Sequence, residues 1–175
     1  MEQFDVIVIG TGSGMIVASA AVGNGLKTAV VENGPMGGTC INRGCVPSKM
    51  LIYPADVTSL LREATKIGVN AAVNSVDFEN IMTRMHKLVK QDTGTQANAV
   101  EATPNMKWFK GTGEFVGDYT LKVGDTIIKA KKFFIVSGAR VGVPKVKGLD
   151  KVEYLTSDTV LELEKPPKSI VIMGG

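Results

Sequence analysis

Apolar and polar residues follow three different rhythms along this chain, and each rhythm predicts a different kind of element. The first is a run with almost no polar interruption, Phe4-Asp5-Val6-Ile7-Val8-Ile9, rich in β-branched residues. Such a run is expected of a strand buried on both faces of a parallel sheet. Gly10-Thr11-Gly12-Ser13-Gly14 breaks it at once, and Met15 to Val22 then form a small-residue helix that Gly23-Asn24-Gly25 ends. A second apolar strand, Thr28-Ala29-Val30-Val31, finishes on Glu32.

The second rhythm is helical. It runs from Val46 to about Ile67, where Gly68 stops it, and resumes after Asp77, a good N-cap for a helix from Phe78 to about Ala99. Ile81, Met85, Leu88 and Val89 share one face of that helix, a stripe expected to be core or a subunit contact. His86 falls on the polar side with no carboxylate or serine motif near it, so no catalytic role is expected.

The third rhythm has a period of two and begins at Lys107. Gly111-Thr112-Gly113, Gly117-Asp118 and Gly124-Asp125 punctuate short runs in which Tyr119, Leu121 and Val123 alternate with polar residues. This predicts a small antiparallel meander. It feeds Phe133-Phe134-Ile135-Val136, another buried strand, which ends in the small-residue turn Ser137-Gly138-Ala139. After Lys165-Pro166-Pro167-Lys168, Ser169-Ile170-Val171-Ile172-Met173-Gly174-Gly175 repeats the logic of the first strand and its glycine turn. The predicted fold class is therefore α/β: a Rossmann-like domain, a parallel sheet with flanking helices, carrying an antiparallel β-meander insertion. Residues 1–150 form that domain, 151–168 a linker, and 169–175 the first strand and glycine turn of a second nucleotide-binding unit. With that unit only begun, the sequence is expected to be the front part of a longer protein.

Composition changes this picture little. At 175 residues and 44% hydrophobic, the chain can bury a real core. No apolar run approaches the roughly 20 residues of a membrane helix, so no membrane association is expected. The net charge of +3 comes from scattered lysines, with only Lys129 to Lys132 enriched, which predicts a solvated strand edge and not a nucleic-acid surface. Met1-Glu2-Gln3-Phe4 runs straight into a strand without a signal peptide, and a cytoplasmic setting is expected.

The chemistry sits in two glycine-rich turns. Strand, glycine turn, helix, strand and terminal acid within about 30 residues make a dinucleotide-binding unit. Gly10 allows the tight turn, Gly12 lets backbone approach a pyrophosphate, and the helix N-terminus offers free amides to the phosphates. Glu32, 22 positions after Gly10, is placed to accept hydrogen bonds from the adenosine ribose. An ordinary crossover has no need of an acid at that distance. One position departs: Met15 stands where a third small residue would bring helix and strand together, and Gly14 is expected to share that role.

The second turn, Gly37-Gly38-Thr39-Cys40-Ile41-Asn42-Arg43-Gly44-Cys45-Val46-Pro47-Ser48-Lys49, holds both cysteines. As a structural staple they would close a loop of about six residues, worth only roughly 2 kcal/mol on the chain-entropy model. Pro47 belongs in a first helical turn, so Cys45 should sit at a helix N-terminus with its thiolate facing the positive end of the dipole. Lys49 follows one turn later on the same face. Structural zinc needs about four ligands, and beyond these thiols the chain offers one histidine, so no metal is expected. A redox pair is the expected role.

Across essentially its whole length, and most specifically over Gly37 to Lys49, the sequence resembles the N-terminal FAD-binding region of the pyridine nucleotide-disulfide oxidoreductases. The resemblance is greatest to the dihydrolipoamide dehydrogenase and mercuric reductase branches. It implies that FAD lies on the first unit, with Gly10, Gly12, Ser13, Gly14, Glu32, Asn33, Gly38, Thr39 and Lys49 as cofactor contacts. Gly113 would lie near the adenine, and Ser137, Gly138 and Ala139 would pass close to FAD. It further implies that Cys40 exchanges with a dithiol substrate, that Cys45 lies against the flavin as a charge-transfer thiolate, and that Lys49 sits near flavin N5. Electrons would pass from a dithiol such as dihydrolipoamide, free or on a lipoyl domain, to the Cys40–Cys45 disulfide, then to FAD and finally to NAD+. In a mercuric reductase they would flow outward from NADPH to a metal ion. The full-length protein would be a homodimer. Ser137-Gly138-Ala139 departs modestly from the family's Ala-Thr-Gly-Ser, as does Val141 from a common proline. Arg43 does not settle the substrate, and the family's catalytic His-Glu pair lies in a C-terminal domain beyond these residues. A flavin-binding or redox-sensing module without catalysis is the alternative of a different class.

Overall fold

The computed structural model describes residues 1–174. One six-stranded sheet organises it, built from β1 (Glu2–Ile9), β2 (Thr28–Glu32), β3 (Met106–Lys110), β4 (Gly113–Gly117), β5 (Thr120–Val123) and β6 (Thr126–Ile135). The order is β3-β2-β1-β6-β5-β4. β3, β2, β1 and β6 are mutually parallel, with Val8 opposite Val30 on one side and Phe134 on the other. β5 adds to β6 antiparallel, and β4 adds to β5 antiparallel. The fold is α/β with a Rossmann-like parallel core, as the hydrophobic pattern predicts.

Four helices complete it: α1 (Gly14–Gly23), α2 (Gly38–Asn42), α3 (Cys45–Glu63) and α4 (Phe78–Ala102). On one face of the sheet Val6, Val8 and Val30 pack against Ala18 and Ala21 of α1. On the other, Ile7, Ala29, Val31 and Phe109 meet Leu121, Val123 and Ile128 of the meander. Alternate residues of one strand thus serve two cores, which is why β1 shows no polar alternation. A third cluster joins α4 to a short 3-10 turn at Thr159–Glu162, through Met82, Met85 and Leu161.

α1 sits close to the sheet because Gly14 has no side chain: a Cβ there would lie 2.7 Å from Val136 Cγ2 and 2.9 Å from Val8 Cγ1. Gly14 therefore takes the close-packing role, and Met15 packs half-buried at the margin of the same cluster. The helix of the cysteine turn ends as a 3-10 turn over Ala64–Ile67, where Gly68 turns left-handed at φ 83°. Asp77 caps α4 by accepting from the Asn80 amide at 2.9 Å.

Four expectations are corrected. Met106–Lys110 is no part of the meander but the third parallel strand, with Trp108 opposite Val30. The Lys129 to Lys132 stretch lies in β6, inside the sheet, and not along its edge; Lys131 and Lys132 point to solvent, and Lys131 pairs with Asp5 at 2.8 Å. The far end of β6 is open, with Phe134 39% and Ile135 66% exposed, because the meander covers only its first half. Ser169 to Gly174 forms no strand and is exposed, Val171 at 90%. A strand needs a ladder to fill its backbone groups, and none is paired here. Gly175, the last residue of that expected glycine turn, lies outside the described residues.

Candidate functional site

β1 lies between β2 and β6, so the turn that follows it opens where the chain departs to either side, the crevice that ligands use in open parallel sheets. Three turns meet there: Gly10 to Gly14 after β1, Asn33 to Gly38 after β2, and Val136 to Ala139 after β6. They touch through backbone. Gly10, at φ 106°, faces the Val136 carbonyl so closely that a Cβ would overlap it. Gly38, at φ 59°, backs onto Gly12, where a Cβ would come within 2.5 Å of Cα. Only glycine fits both constraints at either position.

Glu32 closes this crevice from the end of β2. Its Oε2 accepts from the Thr11 amide at 3.0 Å and from the Thr11 hydroxyl at 2.7 Å, and its Oε1 accepts from the Gly34 amide at 2.9 Å. A carboxylate offers about four acceptor positions, so one on Oε1 remains open. The same strand end holds the Gly113 region: the Glu32 carbonyl accepts from the Gly111 amide at 2.8 Å, and the Asn33 amide donates to Thr112 Oγ1 at 3.3 Å. Gly113 itself is also needed for packing, since a Cβ would lie 2.8 Å from Leu121 Cδ2.

The cysteines lie on the two helices next in the chain. Cys40 is in α2 and Cys45 is the first residue of α3, after the N-cap Gly44. Both are free thiols and solvent-exposed. The Cys40 thiol is held above its ordinary pKa, chiefly by hydrogen bonding with the neighbouring Cys45 thiol; partial desolvation and the charge of Cys45 add to this, and the Cys45 backbone amide and the Lys49 ammonium oppose it.

Thr39 and Lys49 are exposed on the same helices, and Ser137, Gly138 and Ala139 are exposed past β6 with Gly138 left-handed at φ 76°. Two residues that pattern and spacing did not single out hold the turns in place. Thr11, 1% exposed, bonds to Glu32 and accepts from the Gly37 amide at 3.1 Å. Asn42 donates its side-chain amide to the Met36 and Gly38 carbonyls, each at 2.9 Å, and accepts from Thr93 Oγ1 of α4 at 3.1 Å. A hydroxyl between two turn glycines and an amide between two cysteines were the signals available.

These residues fit a dinucleotide. Backbone alone lines the meeting of Gly10, Gly12 and Gly38. Ser13, the N-cap of α1, makes no side-chain bond to its turn; the Met15 and Ile16 amides donate to the Gly12 and Ser13 carbonyls, and the positive end of a ten-residue helix faces the glycine turn. Glu32 keeps an acceptor for a ribose hydroxyl. Two surface grooves, one between α1 and the end of α4 and one between α3 and the start of α4, contain none of these site residues. A cofactor here would lie across the ends of β1, β2 and β6, where the three turns meet.

Known proteins resemble this chain along its length. The chain is 34% identical over 174 residues to a mercuric reductase of Lysinibacillus sphaericus, covering 99% of this chain and 32% of that protein. It is 35% identical over 182 residues to a dihydrolipoyl dehydrogenase of Chlamydia pneumoniae, covering 99% of this chain and 38% of that one. Among solved structures, the HOCl-induced flavoprotein disulfide reductase RclA from Escherichia coli, as its Cu(II) complex, superposes with a TM-score of 0.78 at 26% identity, over 94% of this chain and 35% of that chain. The chain thus spans about a third of the length of the curated relatives it matches. Residues 4–175 match the model of the pyridine nucleotide-disulphide oxidoreductases, flavoproteins that bind FAD and, at full length, NAD(P), and the chain belongs to that family.

Proposed function

We propose that this chain is the FAD-binding and redox-cysteine part of an enzyme that passes electrons between a dithiol, the Cys40–Cys45 pair and a nicotinamide cofactor. The observation that carries this reading is the placement of two free, exposed thiols on successive helices, Cys40 in α2 and Cys45 opening α3 one turn before Lys49. Gly10, Gly12, Ser13, Gly14 and Gly38 cradle the pyrophosphate of FAD, and Glu32 takes a ribose hydroxyl. Asn33 and Gly113 border the adenine, while Thr39, Lys49 and Ser137 to Ala139 border the rest. When bound, FAD accepts the electron pair from the thiols and yields it as hydride.

The protein's own steps are thiol chemistry. With the pair oxidised, a substrate thiolate attacks Cys40 Sγ, the Cys40–Cys45 bond breaks, and Cys45 leaves as thiolate, held by the α3 N-terminus and the Lys49 ammonium. The second substrate thiol then displaces Cys40, which departs with a proton and hydrogen-bonds to Cys45. Exposure of both sulfurs lets a substrate as large as a lipoyl group reach them.

Residues 1–150 act as the FAD-binding unit, 151–168 as a linker, and 169–175 as the start of the nicotinamide-binding unit of a longer, cytoplasmic, homodimeric protein. The substrate is a dithiol of the dihydrolipoamide type. A second reading, reduction of mercuric ion, is favoured by matches of 31–35% identity to four proteins named mercuric reductase. The test compares dihydrolipoamide-dependent NAD+ reduction with Hg(II)-dependent NADPH oxidation, in the full reading frame beside residues 1–175. Lipoamide turnover in the full frame and none in the shorter chain is expected; turnover with Hg(II) alone would select the second reading.

A further inference from the structure

Thr11 lies between Gly10 and Gly12, 1% exposed, and no part of the nucleotide motif requires a hydroxyl there. Its bonding is complete and directional. Glu32 is an acceptor only, so the Thr11 hydroxyl donates to Oε2, at 2.7 Å, and its lone pair is left for the Gly37 amide, at 3.1 Å. The relay therefore runs one way, from Gly37 N–H through Thr11 O–H to the Glu32 carboxylate, and each bond polarises the next. Gly37 is the left-handed N-cap of α2, at φ 102°, and α2 carries Cys40. At the other end Glu32 holds its one open acceptor position.

We propose that Thr11 is a positioning residue that ties the ribose-binding carboxylate to the turn carrying Cys40, so that occupancy of the adenosine site and reactivity of the cysteine pair are linked. This rests on the reading of Glu32 as the ribose ligand of FAD. An isosteric Thr11→Val keeps the volume and deletes the relay, leaving a buried Gly37 amide without its acceptor. Thr11→Ser keeps the hydroxyl and deletes only a methyl.

The experiment measures FAD affinity by fluorescence titration of the chain, and the rate at which a small maleimide labels Cys40, followed by peptide mass with and without ADP. ADP carries the ribose and pyrophosphate but no flavin that could shield the thiols. T11V is expected to weaken FAD binding by about tenfold, the loss of one charge-assisted bond. It should also raise Cys40 labelling several-fold without ligand and abolish the slowing by ADP expected in wild type. T11S is expected to match wild type in all three. Unchanged labelling in T11V, or no effect of ADP on wild type, would overturn the link to the redox turn even if FAD binding weakened. T11S behaving like T11V would overturn the role of the hydroxyl. Unchanged FAD affinity in Glu32→Ala, with labelling still altered in T11V, would instead overturn the ribose assignment and leave the Thr11–Gly37 tie standing.

Discussion

The two ends of the site are built in opposite ways. Around Glu32 the groups are buried or half-buried and bonded to one another: Thr11, Gly34 and Gly37 spend their donors inside the protein, and glycine backbones press together with no room for a side chain. Around Cys40 and Cys45 the sulfurs are exposed, and Thr39 and Lys49 stand in solvent. A ligand that stays bound gains from a cradle fixed beforehand, because ordering costs are already met in folding. A thiol pair that must meet a reagent and exchange bonds needs access and a movable proton. One chain provides both by placing the fixed end on strand termini and the reactive end on a five-residue helix and the first turn of its neighbour.

Glycine substitution breaks this contrast most severely. Gly38→Ala puts a Cβ 2.5 Å from Gly12 Cα in a left-handed backbone, so both turns must move. A loss of about 3 kcal/mol in urea unfolding and of FAD uptake is expected. Gly138→Ala, also left-handed but with nothing near its Cβ, should cost only about 1 kcal/mol. Equal losses at the two positions would mean that the cradle is no tighter than the open turn.

Removal of the carboxylate comes next. Glu32→Ala deletes an acceptor for ribose together with the partners of Thr11 and Gly34, and FAD affinity should fall about tenfold or more by titration of the apo-protein. Unchanged affinity would remove Glu32 from the site.

The smallest effect is a shift of pH dependence at the open end. Because the hydrogen bond to Cys45 raises the Cys40 pKa, its thiol persists above the pH at which an ordinary cysteine ionises. Alkylation of Cys40 should therefore reach half its limiting rate at higher pH in the wild type than in Cys45→Ser. The folded-state preference for the Cys40 proton contributes stability below the ordinary thiol pKa and is lost as pH rises through the elevated one. An unmoved alkylation midpoint would show that the two sulfurs do not share a proton.

The sequence carried the local features of the site better than its long-range pairings. Val6 to Gly10, Gly12 and Glu32 follow from pattern and spacing, because a buried parallel strand, a tight turn and a terminal acid each demand particular residue types. The pairing partner was not legible for Met106–Lys110, whose apolar and polar residues suit a meander strand as well as a parallel one. Only its ladder with β2, each pair 78 residues apart in sequence, decides. Ile170 to Gly174 makes the same point in reverse. It copies the apolar run and glycine of β1, yet β1 lies between two strands and is buried, while this copy has no ladder and is exposed. Thr11 escaped notice because a threonine in a glycine turn acquires meaning only when Glu32 and Gly37 are seen on either side of it.

The central claim, that Cys45 faces the flavin and Cys40 faces the substrate, is tested most directly by the long-wavelength absorbance of the FAD-loaded full-length protein in two variants. Cys40→Ser leaves Cys45 as a thiolate beside the cofactor and should keep a charge-transfer band, whereas Cys45→Ser should abolish it. A band in both variants, or in neither, would contradict the assignment.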